Sequence, residues 1–286
     1  MSRIVVVGSG PAGCSAALYA ARAGLEVTVI SMGMGALSKA ERIQNYYGFE
    51  EGITGAELYR RGIAGAKAVG AQFVTAEVVG LDYAATLVVQ TTAGDHPADA
   101  VILATGTGRI APRIAGLTEH EGRGVSYCAA CDAFFYRGKT AAVLGNGEYA
   151  LHEVQALLPL AGKVVLCTNG EPLTADFPQG VEICTEKLAA VEGETNVTAL
   201  RLENGETLPV DGLFIALGVA GSAALARKLG APVKNGQIMV DEKMQTGIPG
   251  LYAAGDCTGG MLQVCKAVYE GALAATEAIK MLRGQE

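Results

Sequence analysis

Residues 3–7 read Arg-Ile-Val-Val-Val, a β-branched apolar run without polar alternation. Such a run predicts a strand buried on both faces of a parallel sheet. A glycine-rich turn follows, then a small-residue helix over about 12–23 that stops at Gly24, then a strand at 27–30. Thr54-Gly-Ala-Glu57 is a capping box and opens a helix to about Val69. Strands are expected at 73–79, 87–91 and 100–104, the last running into Ala104-Thr105-Gly106. The pattern then restarts. Thr140–Leu144 reads as a strand, Gly145-Asn-Gly147-Glu-Tyr-Ala150 as a second glycine turn, and a helix to about Leu160 precedes a strand at Lys163–Cys167. Asn204-Gly205 marks a hairpin. A strand at 211–217 stops at Gly218, and one at 251–254 leads into Gly255-Asp256 and a closing helix over about 262–282.

The chain therefore repeats one βαβ unit. The first copy spans 98 positions from Gly8 to Gly106; the second spans 73 from Gly145 to Gly218, 25 fewer. Gly8-Ser-Gly10-Pro11-Ala12-Gly13 sits between strand and helix, the context a dinucleotide fingerprint requires. Gly8 permits the tight turn, Gly10 lets a pyrophosphate approach the backbone, and Gly13 lets helix and strand pack closely. The pyrophosphate would then sit on the helix N-terminus. The expected class is α/β, with two Rossmann-like dinucleotide-binding domains.

Composition narrows the function classes. The chain has 286 residues, 50% hydrophobic and 18% charged, so about two packed domains are expected and a disordered chain is excluded. The 39 glycines suit tight turns and close ligand approach. Charge balances within residues 1–140, and the whole net −7 lies in 141–286. There is no basic stripe, which argues against nucleic acid as a partner. The apolar run 4–30 is broken by glycines, Pro11, Arg22 and Glu26, which argues against a membrane span. No signal peptide is read at the start, and seven cysteines is an odd number. A reducing, cytoplasmic setting is the expectation rather than a disulfide-stapled fold.

Cys128-Ala-Ala-Cys131-Asp132 opens the second copy. A CxxC can be a redox dithiol, half a zinc site or an inert buried pair. Zinc needs four ligands, and neither His96, His120 and His152 nor the other cysteines show the spacing. A redox dithiol follows directly, since one thiolate can attack and the other can close a small ring. Asp132 would exchange the proton. Cys14, Cys167, Cys184, Cys257 and Cys265 read as inert thiols.

Two dinucleotide-type folds with a CxxC-Asp entering the second resemble the low-molecular-weight thioredoxin reductases over essentially the whole chain. The segment from Tyr127 to Gly138, Tyr-Cys-Ala-Ala-Cys-Asp-Ala-Phe-Phe-Tyr-Arg-Gly, is similar to that family's redox segment. The resemblance implies FAD, held by residues 1–112 with 241–286, and an inserted redox domain at 113–240. It assigns Gly8, Gly10, Pro11, Ala12, Gly13, Ser31, Ala104, Thr105 and Gly106 to the FAD site. It also assigns Asn45 before Tyr46-Tyr-Gly48, the Gly255-Asp256 motif and the Gln263-Val264 pair. It makes Cys131 the flavin-proximal sulfur and Cys128 the one that attacks thioredoxin, and it implies a homodimer. A hinged rotation is expected near 110–116 and 236–246.

The sequence also departs from that family. The position that carries an acid for the adenosine ribose in many such folds is Ser31 in the first copy and Thr168 in the second. NADPH-using relatives carry His-Arg-Arg after the second strand, where arginine pairs bidentately with a 2′-phosphate. Here the positions read Thr168-Asn169-Gly170. Tyr149 stands where relatives have a small residue, and is expected to obstruct the nicotinamide end. The chain is therefore most similar to ferredoxin-dependent flavin thioredoxin reductases, as are Tyr252–Gly259 and Lys266-Ala-Val-Tyr-Glu-Gly271. An acidic ferredoxin would need a local basic patch. Arg60, Arg61, Arg109, Arg113, Arg123, Arg137 and Lys139 are the candidates, most of them ordinary solvated charges. A dithiol oxidase using oxygen, and an NAD(P)H-dependent reductase with an unusual nucleotide site, stay open as alternatives.

Overall fold

The computed structural model describes every residue except 1, 107–111, 113, 219 and 285–286. The chain divides into two compact units, Met1–Gly108 with Gly221–Glu286, and Arg109–Ala220. The first unit opens with β1 (Arg3–Val7), α1 (Pro11–Arg22), β2 (Glu26–Ser31), α2 (Gly55–Ala68) and β3 (Gln72–Thr75). An antiparallel ribbon of β4 (Val78–Tyr83), β5 (Leu87–Thr91) and β6 (Gly94–Ala98) leads to β7 (Ala100–Leu103). The second unit runs β8 (Val125–Ser126), α3 (Ala129–Asp132), β9 (Thr140–Leu144), α4 (Glu148–Leu157), β10 (Lys163–Cys167) and β11 (Glu182–Cys184). Its own ribbon is β12 (Leu188–Glu192), β13 (Ala199–Leu202) and β14 (Thr207–Pro209), followed by β15 (Gly212–Ile215). The chain returns to the first unit as α5 (Ser222–Lys228), β16 (Val233–Lys234), β17 (Gln237–Ile238), β18 (Leu251–Ala253) and α6 (Val264–Leu282).

Both main sheets are parallel throughout. Their orders are β18-β7-β1-β2-β3 and β8-β15-β9-β10-β11, so the units match strand for strand. The α/β fold with two Rossmann-like sheets is the one expected. β18 closes its copy last in sequence. Its counterpart β8 comes before the rest of the second copy and runs straight into the CxxC.

Residue size explains the packing. In α1, Ala12, Ala16, Ala17 and Ala20 are buried in the first core with Ile4, Val6 and Ile102. A Cβ at Gly271 of α6 would stand 2.0 Å from the Ala12 carbonyl oxygen, so α1 and α6 cross in close contact. The capping box forms, with the Glu57 N–H donating to Thr54 Oγ1 at 3.2 Å.

Three expectations need correction. The inserted unit ends at Ala220, and 221–240 belongs to the first unit. The reason is Ser222 at the start of α5. Its N–H donates to Thr105 Oγ1 at 2.8 Å, and the two hydroxyls share a 2.7 Å hydrogen bond. The strand expected at 73–79 is two strands, because β3 ends in register with the end of β2 and the chain then leaves for the ribbon. The second-copy helix stops at Leu157 rather than about Leu160. Among the described residues, no helix is long and apolar enough to cross a membrane.

Candidate active site

The first unit builds an open cradle at the N-terminus of α1. Gly8 sits at φ +109, and a Cβ there would lie 2.3 Å from the Ala104 carbonyl oxygen. A Cβ at Gly13 would lie 1.9 Å from the Gly8 carbonyl oxygen. Both positions close the turn against the backbone. Gly10 differs: a Cβ there would meet nothing within 4 Å. Gly10 caps α1 without a side-chain hydrogen bond, Pro11 occupies the first turn where no donor is needed, and no acidic residue stands there. The Ala12 and Gly13 amides therefore have no capping side chain. Beside them, Ser9 Oγ lies 2.7 Å from Ser31 Oγ and 2.9 Å from Tyr59 Oη. Hydroxyls thus stand where an acid was missing.

Other expected residues converge on this unit. Asn45 Nδ2 donates to Gln263 Oε1 at 2.9 Å, joining two residues that lie 218 positions apart. Gln263 caps α6, and Val264 begins it. Thr105 is fixed by Ser222, and Gly106 follows at φ +76. The Gly255 N–H donates to Glu270 Oε2 at 2.8 Å. The same oxygen accepts from Thr258 at 2.9 Å and pairs with Lys266 Nζ at 2.9 Å. Lys266 also donates to the carbonyls of Gly255 and Gly259. Lys266 and Glu270 thus brace the loop that carries Asp256. Burial raises the Asp256 carboxyl above its usual range, against the pull of Lys266. An uncapped helix terminus with open space at Gly10, hydroxyls at the second strand and a braced acidic loop fit the pyrophosphate and ribose of a dinucleotide.

The second unit carries the dithiol. Cys128 and Cys131 form a disulfide with Cα atoms 5.4 Å apart. Cys128 is 4% exposed and caps α3, its sulfur accepting from the Cys131 N–H at 3.1 Å, whereas Cys131 is exposed. Ser126 ties the segment together. Its hydroxyl donates to Asp132 Oδ2 at 2.6 Å and accepts from the Cys128 N–H at 3.1 Å. Asp132 is thus within two hydrogen bonds of the Cys128 backbone. Two residues of α4 hold the same segment. The Tyr149 hydroxyl donates to the Tyr127 carbonyl at 3.1 Å, and Glu153 Oε2 accepts from the Ala129 N–H. Tyr149 is buried within the unit, with its hydroxyl committed to the CxxC segment. Phe134 and Phe135, just beyond, are both exposed.

The second glycine turn is closed by its own chain. Asn146 Nδ2 donates to the Pro172 carbonyl at 2.7 Å, and the Thr174 N–H returns to the Asn146 carbonyl at 2.8 Å. A Cβ at Gly147, the counterpart of Gly10, would meet Thr174 Oγ1 at 2.9 Å. Glu148 stands in the first turn of α4 and already supplies an anion to the helix terminus. The Thr168 hydroxyl, the counterpart of Ser31, is buried and has no hydrogen-bond partner among the described residues.

The remaining thiols are not uniform. Burial pushes Cys14 and Cys257 up to about 12, in keeping with inert thiols. Cys167 and Cys184 pair in register across β10 and β11. Their mutual hydrogen bond pushes Cys167 up and Cys184 down to about 6. Of the basic candidates, Arg60 and Arg61 both pair with Glu57 at 2.7 Å. Arg123 donates to the Glu119 carbonyl, and Arg137 lies over the Phe134 ring. Arg109 and Arg113 lie outside the described residues, as do positions 110, 111 and 113 of the first expected hinge. The second crossing between units falls at 220/221, not at 236–246.

A family model described as pyridine nucleotide-disulphide oxidoreductase matches residues 2–271, and the chain belongs to that family. The thioredoxin reductase of Listeria innocua is 33% identical over 296 residues, covering 97% of this chain and 92% of the relative. The crystal structure of the atypical thioredoxin reductase TRi from Desulfovibrio vulgaris Hildenborough is 40% identical, with TM-score 0.92 over 99% of each chain. That of a ferredoxin-flavin thioredoxin reductase from Clostridium acetobutylicum is 35% identical, with TM-score 0.74 over 100% of each. Within its family the chain is an FAD-dependent disulfide oxidoreductase of the thioredoxin reductase type.

Proposed function

We propose that this enzyme reduces the disulfide of a thioredoxin with electrons drawn from reduced ferredoxin rather than from NADPH. The observation that carries the choice of donor is Thr174, which stands on Gly147 where a coenzyme pyrophosphate would approach. The absence of arginine at Thr168-Asn169-Gly170 removes the partner of a 2′-phosphate as well. The similarity to a ferredoxin-flavin thioredoxin reductase over the full chain agrees with this reading.

FAD supplies a two-electron store that single electrons can fill and a disulfide can empty. Gly10 and the terminus of α1 would hold its pyrophosphate, and Ser9 and Ser31 its ribose. Gly255, Asp256, Asn45, Gln263 and Val264 would hold the rest. In the second unit, the reduced pair attacks the partner disulfide through one thiolate and forms a mixed disulfide. The second cysteine then displaces the partner's sulfur. The products are the Cys128–Cys131 disulfide and a reduced partner dithiol. Asp132 exchanges the proton with the pair, oriented by Ser126. Cys128 is the more buried sulfur here, so its attack on a protein disulfide requires it to become accessible. A rotation of the redox unit would provide that access.

Anaerobic titration of the flavin-loaded enzyme with NADPH, NADH and reduced ferredoxin tests the donor. Reduced ferredoxin alone should bleach the flavin rapidly and support thioredoxin reduction. Rapid bleaching by either nicotinamide coenzyme overturns the proposal.

A further inference from the structure

The mechanism above leaves one fully buried acid of the second unit unused. Glu153 is 0% exposed, lies on α4, and accepts from the Ala129 N–H, the first amide after Cys128. Its other carboxylate oxygen lies 3.3 Å from Nδ1 of His152. The register of the two sheets gives this contact a counterpart. Ala253 pairs with Leu103 on the strand beside β1, and Ser126 pairs with Phe214 on the strand beside β9. Val7 and Leu144, the last residues of β1 and β9, pair with Leu103 and Ile215. Counting forward, Ala129 falls at the place of Gly255. Both amides donate to a buried glutamate, Glu270 in one unit and Glu153 in the other. Glu270 has the Lys266 ammonium at 2.9 Å, whereas Glu153 faces an imidazole.

A thiolate at the start of a CxxC helix is stabilised by the amides and dipole of that helix, and by nearby cations. Each such stabilisation favours the dithiol over the disulfide and makes the pair a weaker reductant. We propose that Glu153 is a positioning residue that keeps the Cys128–Cys131 dithiol strongly reducing. It engages the Ala129 amide and sets a negative charge at the start of α3, which opposes a Cys128 thiolate although the Cys131 N–H reaches that sulfur. The Asp132 carboxylate at the other end of α3 adds to the same field. The inference rests on the dithiol reading above, and not on the identity of the electron donor.

The test is the thiol–disulfide equilibrium of the flavin-loaded enzyme in dithiothreitol buffers, read by acid quench, alkylation and peptide mapping of Cys128 and Cys131. Glu153→Gln keeps the size and the acceptor but removes the charge. It should shift the equilibrium about tenfold toward the dithiol, the effect of roughly one pKa unit on the attacking thiol. Glu153→Ala should shift it in the same direction. If that variant fails to fold, the isosteric Gln variant decides alone. A shift of less than about threefold in Glu153→Gln, or any shift toward the disulfide, overturns the proposal, because a purely structural role leaves the equilibrium in place. A wild-type pair that does not cycle at all overturns the dithiol reading and this proposal with it.

Discussion

The two glycine turns of this chain are copies that differ in what surrounds the second glycine. Around Gly10 the space is open and the α1 amides have no capping side chain. Around Gly147 the chain has returned on itself, with Thr174 against the glycine and Glu148 on the helix terminus. The strand order is the same, and so are the close contacts of the first glycine. A Cβ at Gly8 would meet the Ala104 carbonyl oxygen at 2.3 Å, and one at Gly145 the Ala216 carbonyl oxygen at 2.2 Å. The sheet framework thus depends on the first glycine, and ligand access on the second. The helix behind the turn diverges accordingly. α1 has small residues that pack on α6, while α4 turns Tyr149 and Glu153 onto the CxxC segment. The same helix that follows the second glycine turn thus holds the dithiol segment.

The largest effect is expected where the first unit buries an ion pair. Lys266→Met leaves the Glu270 carboxylate buried without its cation. Breaking a buried pair from one side costs about 3–5 kcal/mol. Denaturant unfolding should show that loss, together with weakened flavin retention, because the loop at Gly255 depends on both residues. An unfolding midpoint equal to wild type would show that the braced loop is not what separates the halves. The next effect compares the two turns directly. Gly10→Val should lower FAD affinity on the order of a hundredfold while the protein stays folded, since the new side chain meets only ligand space. Gly147→Val should leave flavin content unchanged and cost roughly 1–3 kcal/mol of stability by overpacking against Thr174. Equal flavin loss in both variants would break the comparison.

Much of this was legible in the residues. The Gly8–Gly13 turn, the second glycine turn and the CxxC each carry their chemistry in a short window with fixed spacing. The capping box at Thr54 is equally local, and it forms. What escaped lies in long-range pairing. Ser222 joins the first unit through Thr105, 117 positions away, and nothing near Ser222 announces it. Thr174 closes the second turn from 28 positions beyond Asn146, within an unpatterned Glu-Pro-Leu-Thr stretch. Tyr149 was visible as a bulky residue in a small-residue position. Whether its ring faced a ligand or the core depends on where β8 lies, and β8 precedes its sheet in sequence. Glu153 looked like any acid on an amphipathic helix. Cys167 and Cys184 are neighbours only through the parallel register of β10 and β11.

The smallest effect separates two roles for Tyr149. If the residue acts through bulk alone, as an obstruction to a coenzyme, its hydroxyl is dispensable and Tyr149→Phe is silent. If it supports the redox segment, the same variant removes the hydrogen bond to the Tyr127 carbonyl. That loss is worth about 1 kcal/mol, or about 3 °C in Tm for a chain of this size. The ring stays in place in the Phe variant, so access to the second turn does not change, and NADPH should still fail to bleach the flavin. A lower Tm with unchanged nucleotide behaviour supports the second role. An unchanged Tm removes the hydroxyl from the scaffold and leaves Glu153 as the contact by which α4 shapes the dithiol.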